Sequence, residues 1–364
     1  MKLKVAIVGC GKIADAHVEE VQKIATAEVT AVCDLERLMA EQLAVRYGVP
    51  AYFDDYAAML AGAKPDVVHI TTPPQSHLPL SKQAIDAGAH VYIEKPFTVD
   101  YAEAVELVEY AHRAGRKVVV GHSYEFDPLS DALRKLVDDG VLGEAVHVES
   151  MMGYNLSGPY GAALLGDSNH WIHRLPGKLF QNNINHLMHK IAWFLPDDKP
   201  VINAVGARRR DAIFGDVRDD MLDEMRVIMV GRKTTAYATF SSHAQPLKHC
   251  ARVYGTRNTI TLDYALRTLT IDQGEKLPSA IGRLLPTFAQ GRQYTRAGFR
   301  NVFRFMKADY QFFAGMKSLF ERFYDSIIED TDPPIAYDDI LRVTAWMDEI
   351  YEQLGQDGRG GGER

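Results

Sequence analysis

Short apolar runs alternate with amphipathic stretches over the first third of the chain. The pattern predicts strands at 4–8, 28–33, 67–70, 91–93 and 117–120, with helices at 15–24, 35–47, 78–87 and 101–114 between them. Strands that alternate with helices in this way form a parallel sheet covered by its crossover helices. Residues 1–123 are therefore predicted to form a doubly wound α/β domain.

The pattern changes after about Gly121. Strand-like runs now follow one another at 145–150, 201–207, 225–230, 234–240, 251–254, 259–263 and 268–271, with helices at 128–139, 183–194, 315–328 and 338–354. Strands in series indicate a largely antiparallel sheet, so residues 124–354 predict an α+β domain. The Gly-rich tail, 355–364, is expected to be flexible.

Composition narrows the class of protein. Apolar residues make up 46% of the chain, charged residues 24%, and the formal net charge is −7, which argues against general nucleic-acid binding. Cys10, Cys33 and Cys250 have no paired spacing, so neither a disulfide framework nor a zinc site is predicted. The apolar run at 5–8 is too short for a signal peptide, and no stretch reaches the roughly 20 apolar residues of a membrane span. A cytoplasmic protein without a transmembrane segment is predicted.

A G-x-G-x-x-A motif lies directly between the first predicted strand and the first predicted helix. Gly9 permits the tight turn, and Gly11 lets a pyrophosphate approach the backbone. The motif continues through Lys12 and Ile13 to Ala14, where the helix N-terminus offers free N–H groups to phosphates. The motif in this context predicts a dinucleotide site.

Asp34 ends the second predicted strand. A carboxylate at this place hydrogen-bonds both hydroxyls of the adenine ribose, and it repels a 2′-phosphate. NAD is therefore the predicted cofactor, while the nearby Arg37 leaves NADP open as an alternative.

Two further motifs follow predicted parallel strands: Thr72-Pro73-Pro74-Gln75-Ser76-His77 and Glu94-Lys95-Pro96. Ligands of open α/β sheets bind at these carboxyl ends. With the glycine motif, these segments resemble the Gfo/Idh/MocA oxidoreductase family (glucose–fructose oxidoreductase, inositol dehydrogenase and relatives), specifically over 1–123 and more loosely beyond. The resemblance implies a Rossmann domain followed by a domain with an open sheet. It also implies cofactor contacts from Thr72, Pro73, His77, Glu94, Lys95 and His122.

The resemblance implies a catalytic role for Lys95, beside the nicotinamide and the reacting hydroxyl, and a cis peptide between Lys95 and Pro96. Elementary chemistry agrees with this role. Oxidising an alcohol removes a hydride and a proton, and a partly desolvated lysine near a cation can lose its own proton near neutral pH.

The second-domain motif of the family is a glycine run, then an aspartate, then a histidine four residues later. Here His186 matches the histidine, Asn182 occupies the aspartate position, and the glycine run is reduced to Gly177. Asn182 and His186 are expected to share one helix face. Because an amide can orient a hydroxyl but cannot take its proton, the proton relay would rest on Lys95 and His186.

Several other polar residues are candidates for substrate contact: Tyr124, His170, Trp171 and Asn183. The H-x-x-H pairs at 170/173 and 186/189 resemble metal ligands, but His186 is already explained by the family motif, and no metal is predicted. His17, one turn into the first helix, is expected to be structural.

The predicted function is hydride transfer between the nicotinamide and a hydroxyl or keto carbon of a small molecule. That molecule would be a sugar, a nucleotide or acidic sugar derivative, or a cyclitol. Asn182 keeps a second function open, in which NAD oxidises the sugar transiently and enables elimination or epimerisation without net redox. The resemblance further implies a homo-oligomer, dimer or tetramer, formed through the second-domain sheet.

An unusual insertion, about 278–313, combines arginines with large apolar residues. It contains Arg283, Arg292, Arg296, Arg300, Arg304 and Lys307 among Leu284, Leu285, Phe288, Tyr294, Phe299, Phe303, Phe305, Phe312 and Phe313. Three interpretations stay open. The insertion packs on its own or a partner's domain, covers an anionic substrate, or contacts a membrane surface.

Overall fold

The computed structural model describes residues 2–156, 158, 161, 164, 167, 169–209, 221–273, 279–306 and 314–355. The chain divides into two compact units. The first comprises Met1–Phe126 and Phe313–Ala345, and the second comprises Asp127–Phe312 and Trp346–Arg364.

The first unit is built on a parallel sheet of β1 (Leu3–Val8), β2 (Ala27–Cys33), β3 (Tyr52–Phe53), β4 (Val67–Ile70), β5 (His90–Ile93) and β6 (Val118–Val120). The strand order is β3-β2-β1-β4-β5-β6, the order of a Rossmann sheet. Its helices are α1 (Ala14–Gln22), α2 (Arg37–Tyr47), α3 (Tyr56–Ala63), α4 (His77–Asp86) and α5 (Tyr101–Arg113). The predicted doubly wound fold is confirmed, with β3 and α3 as additions that the pattern did not predict.

The second unit contains a seven-stranded sheet of β7 (Ala145–Gly153), β8 (Val201–Ala207), β9 (Glu224–Val230), β10 (Thr235–Ser241), β11 (His249–Gly255), β12 (Asn258–Asp263) and β13 (Thr268–Gln273). The order is β13-β12-β11-β7-β10-β9-β8, antiparallel except between β7 and β10. The helices are α6 (Pro128–Asp138), α7 (Lys178–Asn183), α8 (Asn185–Ala192) and α9 (Ser279–Met306). This confirms the predicted α+β class.

The last two helices differ from the prediction that 124–354 form one domain. Helix α10 (Ala314–Ile328) belongs to the first unit, and α11 (Tyr337–Gln353) is divided between the units after Ala345. The reason is apolar packing, because Phe320, Phe323 and Tyr324 of α10 are fully buried in the core of the first unit. Sequence order alone did not reveal this return of the chain.

The predicted insertion corresponds to α9 over 279–306. Two parts of the predicted insertion lie outside the described residues: residue 278 and residues 307–313, which include Lys307, Phe312 and Phe313. The same holds for residues 356–364 of the predicted tail. Within the described part of the chain, no helix combines the length and the apolar character needed to cross a membrane.

Candidate functional site

The glycine loop is shaped by its neighbour in the sheet. Gly9 has a φ of +94°, and a Cβ there would lie 2.7 Å from Thr72 Cγ2 and 2.8 Å from Thr72 N, so a side chain is excluded. Gly11 faces open space. Helix α1 then begins at Ala14 without a side-chain cap. The loop therefore combines room at Gly11 with an uncapped helix N-terminus, which fits the diphosphate of a dinucleotide.

The carboxylate of Asp34 is held at the end of β2 by two backbone amides. Oδ2 accepts from Cys10 N at 2.6 Å, and Oδ1 accepts from Glu36 N at 2.9 Å. Arg37, by contrast, donates to Asp54 at 3.1 Å and lies 5.2 Å from the ring centroid of Tyr52. A fixed carboxylate beside an already paired arginine favours NAD over NADP.

We expect NAD to bind at least about tenfold more tightly than NADP, because a lost charged hydrogen bond costs roughly 1.5–3 kcal/mol. Calorimetric titration with each dinucleotide measures the two dissociation constants. Asp34→Ser serves as the comparison, and we expect it to bring the dissociation constants for NAD and NADP closer together. Equal affinities in the unaltered protein would contradict this assignment of Asp34.

His77 connects the two loops that follow β4 and β5. It is fully buried, with Nε2 at 2.8 Å from the Thr72 carbonyl oxygen and Nδ1 at 3.0 Å from that of Pro96. The Lys95–Pro96 peptide is cis, which confirms the prediction for this bond. Thr72, Pro73, His77 and Lys95 thus come together at one edge of the parallel sheet.

A chain of buried hydrogen bonds leads from Glu94 into the core of the first unit. Glu94 Oε1 lies 3.0 Å from His17 Nε2, His17 Nδ1 lies 2.9 Å from His69 Nδ1, and His69 Nε2 lies 2.9 Å from the Tyr324 hydroxyl. His17, His69 and Tyr324 are each fully buried. Burial, with His17 as a second cause, holds the pKa of His69 well below its usual value, so its ring is neutral.

A carboxylate only accepts hydrogen bonds, so His17 donates from Nε2 to Glu94. This hydrogen bond stabilises the ionised form of Glu94. The His69 ring and the Tyr324 hydroxyl complete the buried chain behind His17.

The pKa values of Glu94 and Lys95 reflect this arrangement. Burial would raise the pKa of Glu94, but the hydrogen bond and charge of His17, together with Lys95, bring it below its usual value. Burial lowers the pKa of Lys95, and the charge of Glu94 opposes that shift. A fixed carboxylate is thus adjacent in sequence to a lysine that loses its proton more readily than a lysine in water.

Sequence reasoning missed most of this chain. His17 was expected to be only structural, and His69 and Tyr324 were not singled out. The one available signal was a histidine inside the apolar strand β4, since a buried polar group requires a partner.

His122 and Tyr124 follow β6 within the first unit. His122 is buried, with Nδ1 3.4 Å from Glu125 Oε1. Tyr124 lies in a 3₁₀ turn, Ser123–Phe126. Their predicted contacts with cofactor and substrate stay predictions.

The family motif of the second unit spans two short helices, not one as predicted. Asn182 lies on α7 and His186 on α8, because the helix tightens at Ile184, whose carbonyl accepts from Leu187 N at 2.8 Å. Both side chains are buried. Asn183, predicted to contact substrate, donates its amide to the Leu179 carbonyl at 2.8 Å and so serves its own helix.

Lys190, which sequence reasoning missed, lies one turn beyond His186 on α8. It is 1% exposed, its Nζ has no hydrogen-bond partner within the described chain, and it lies 5.5 Å from the ring centroid of Tyr264. Burial lowers its pKa to about 7, although Cys250 and Asp263 oppose the shift.

A histidine of β11 extends this group. His249 has its ring centroid 6.0 Å from that of His186 and 4.8 Å from that of Tyr264. Burial, followed by the charges of Lys190 and His189, holds the pKa of His249 well below its usual value. The second unit therefore gathers basic side chains around the family histidine.

The residues 170–173 make local contacts in the second unit. His170 Nδ1 accepts from Ile172 N at 3.3 Å, its ring centroid lies 5.2 Å from that of Trp171, and His173 Nε2 lies 3.1 Å from the Leu164 carbonyl oxygen. Among the residues the structure describes, no group of three or more His, Cys, Asp or Glu is arranged to hold a metal ion.

Comparisons with known proteins agree with this geometry. Residues 3–122 match the sequence model of the Gfo/Idh/MocA oxidoreductase family, NAD-binding Rossmann fold. D-glucoside 3-dehydrogenase of Escherichia coli (strain K12) is 36% identical over 39% of this chain and 41% of its own length. Inositol 2-dehydrogenase of Rhizobium meliloti (strain 1021) is 28% identical over 63% of this chain and 65% of its own length.

A solved structure extends the likeness over nearly the whole fold. The WlbA dehydrogenase from Bordetella pertussis, in complex with NADH and UDP-GlcNAcA, superposes with a TM-score of 0.76 at 17% identity, covering 97% of this chain and 96% of that one. At this identity the likeness concerns the fold alone.

The strand order and the family match together define the class of protein: it has an NAD-binding Rossmann domain of an oxidoreductase family. The match of residues 3–122 to the Gfo/Idh/MocA family confirms the resemblance drawn from the motifs in this part of the chain.

Proposed function

We propose that this protein is an NAD-dependent dehydrogenase or ketoreductase of a sugar, a sugar derivative or a cyclitol. The observation that carries the proposal is the position of Lys95, next to the hydrogen-bonded carboxylate of Glu94 and at the carboxyl edge of an NAD-binding sheet. The two relatives named above act, by their names, on a glucoside and an inositol. Both compounds carry several hydroxyl groups, which supports a polyhydroxylated molecule as the substrate of this protein.

The chemistry that NAD supplies when bound is the uptake or return of a hydride. Gly9, Gly11, Lys12 and Ile13 would hold its diphosphate, and Asp34 its adenine ribose. Lys95 would take the proton of the reacting hydroxyl, since burial already favours its neutral form. Asn182 and His186 would orient the substrate, with His186 as the second group able to move a proton.

A screen of sugars, acidic sugars, nucleotide sugars and cyclitols tests the proposal. Absorbance of reduced nicotinamide reports turnover in both directions. We expect one chemical class to be oxidised or reduced with NAD. Tight NAD binding without turnover of any of these compounds would contradict an enzymatic role and favour an NAD-binding regulatory protein.

Asn182 supports a second candidate function. Because an asparagine stands where the family has an aspartate, the site retains fewer groups able to carry a proton during net redox. A redox-neutral enzyme would keep its cofactor through purification and convert substrate without accumulating NADH. Mass spectrometry of the product with a parallel NADH assay separates the two functions.

We expect Asn182→Asp to weaken substrate binding by roughly 1–3 kcal/mol and to leave NAD binding nearly unchanged. The reason is an acidic group on the substrate, which a carboxylate would repel and an amide can bind as a donor. Lys190, one turn beyond His186 on α8, supports such a substrate because its amine can carry a positive charge.

Asn182→Ala is the matched control, since it removes the donor without adding charge. It should weaken binding less than the aspartate variant does. An aspartate variant that binds substrate equally well and turns over faster would refute the acidic substrate.

Assembly through the sheet of the second unit is part of the proposal. Val201, Val205, Ile228 and Val230 expose apolar side chains on one face of β8 and β9. Such a face is suited to a second copy of the chain. Dimer or tetramer formation and a cytoplasmic location stay predictions.

A further inference from the structure

Helix α9 turns polar side chains toward its own unit. Gln293 bonds to both backbone groups of Ile271, at 2.8 and 3.0 Å, and Asn301 donates to the Leu266 carbonyl at 3.1 Å. Ala297, on this inner face, is buried. A surface helix of a globular protein normally buries its apolar face and exposes its polar one. In α9 this arrangement is inverted.

The outer side of α9 is apolar. Phe288, Phe299, Val302 and Met306 are exposed by 76%, 74%, 57% and 71%. At 3.6 residues per turn they fall within about 60° of one another, on the side opposite Ala297. Several large apolar side chains exposed on one side of a helix indicate a contact with something apolar.

Charge along the same helix has a single sign. Arg292, Arg296 and Arg300 are exposed at intervals of four residues, along one flank of the apolar strip. Residues 279–306 contain no aspartate and no glutamate. Arginine matches the geometry of phosphate groups, and its aliphatic stem can lie along apolar surface while its head stays at a polar boundary.

We propose that α9 binds the surface of a phospholipid bilayer containing anionic lipids. The helix, about 42 Å long, would lie in the plane of the interface. Phe288, Phe299, Val302 and Met306 would enter the apolar layer, and the arginine flank would contact lipid phosphates.

A second copy of the chain fits this face less well. A symmetric contact places the same patch on both partners. Two copies of α9 would then bring two arginine flanks together, with no carboxylate on either helix to pair with them. An anionic bilayer offers an apolar layer for the exposed apolar side chains and phosphate groups for the arginines.

Co-sedimentation of the full chain with phosphatidylcholine vesicles, with and without about one-third phosphatidylglycerol, tests the proposal. We expect binding to the anionic vesicles at least about tenfold stronger than to the neutral ones, with release as salt is raised. No sedimentation with either vesicle would overturn it.

Two double variants identify the contacts. Phe288→Ser/Phe299→Ser and Arg292→Gln/Arg300→Gln should each lower binding to anionic vesicles about tenfold or more. Leu38→Ser/Val45→Ser, which changes two exposed apolar residues of α2, is the matched control and should bind as the unaltered protein does. If the phenylalanine variant instead changes the oligomeric state and vesicle binding is absent throughout, a second copy covers α9 and the proposal fails.

Discussion

Replacement of Lys95 by alanine is expected to lower kcat about 100-fold or more and to leave the Kd for NAD nearly unchanged. The size of the effect is the usual contribution of a positioned general acid or base. Lys95 is suited to this role because burial lowers its pKa. The carboxylate of Glu94, hydrogen-bonded to His17, places a negative charge next to it in the chain. Steady-state kinetics and calorimetric titration measure the two quantities.

Lys82→Ala is the control for this prediction. Lys82 lies on α4 in the same unit and pairs with Glu106 at the surface. We expect its removal to change kcat little, because surface ion pairs contribute about 0–1 kcal/mol. Near-normal turnover of Lys95→Ala, once a substrate is known, would remove Lys95 from the mechanism while leaving the NAD site intact.

Replacement of Lys190 by methionine is expected to stabilise the folded protein by several kcal/mol at pH 7. Burial holds the pKa of Lys190 at about 7, against 10.5 for an unperturbed lysine. Each unit of this difference corresponds to about 1.4 kcal/mol, so the largest gain is about 5 kcal/mol. Methionine fills a similar volume without an amine to desolvate.

The sign of the pH dependence follows from proton binding. Between about pH 7 and 10.5 the unfolded chain binds the Lys190 proton and the folded chain does not. Stability of the unaltered protein therefore rises with pH over this range. Below about pH 7 the folded protein carries the full free-energy cost of a buried, charged Lys190. The advantage of Lys190→Met should accordingly shrink as pH approaches 10.5.

Denaturant unfolding at pH 7 and pH 10 measures this difference. Lys135→Met, an exposed lysine of the same unit, is the control and should change stability by no more than about 0.5 kcal/mol. A Lys190→Met variant less stable than the unaltered protein at pH 7 would show that the amine is well paired. Since stabilising changes often lower activity at functional positions, we expect this variant to lose turnover.

The first unit was largely predictable because its signals are local. Parallel strands buried on both faces appear as continuous apolar runs, and Gly9, Gly11 and Asp34 lie at fixed distances from them. The cis bond at Lys95–Pro96 came from the family resemblance and is confirmed.

What sequence reasoning missed depends on contacts between distant parts of the chain. Tyr324 lies 255 residues beyond His69, so no window of the sequence could pair them. Lys190 carried no motif, and only the neighbouring apolar residues of α8 indicated burial. At the break, the Ile184 carbonyl accepts from both Leu187 N and Met188 N, a local change in hydrogen bonding that helical periodicity does not reveal.

The return of α10 to the first unit has a consequence for biosynthesis. Phe320 and Tyr324 complete the core and the hydrogen-bond chain of a unit whose sheet is otherwise formed by residues up to Val120. A nascent chain leaves the ribosome N-terminus first, so the sheet emerges long before the helix that closes it. Until α10 has been synthesised, His69 lacks its tyrosine partner, so the hydrogen-bond chain that leads to Glu94 stays incomplete.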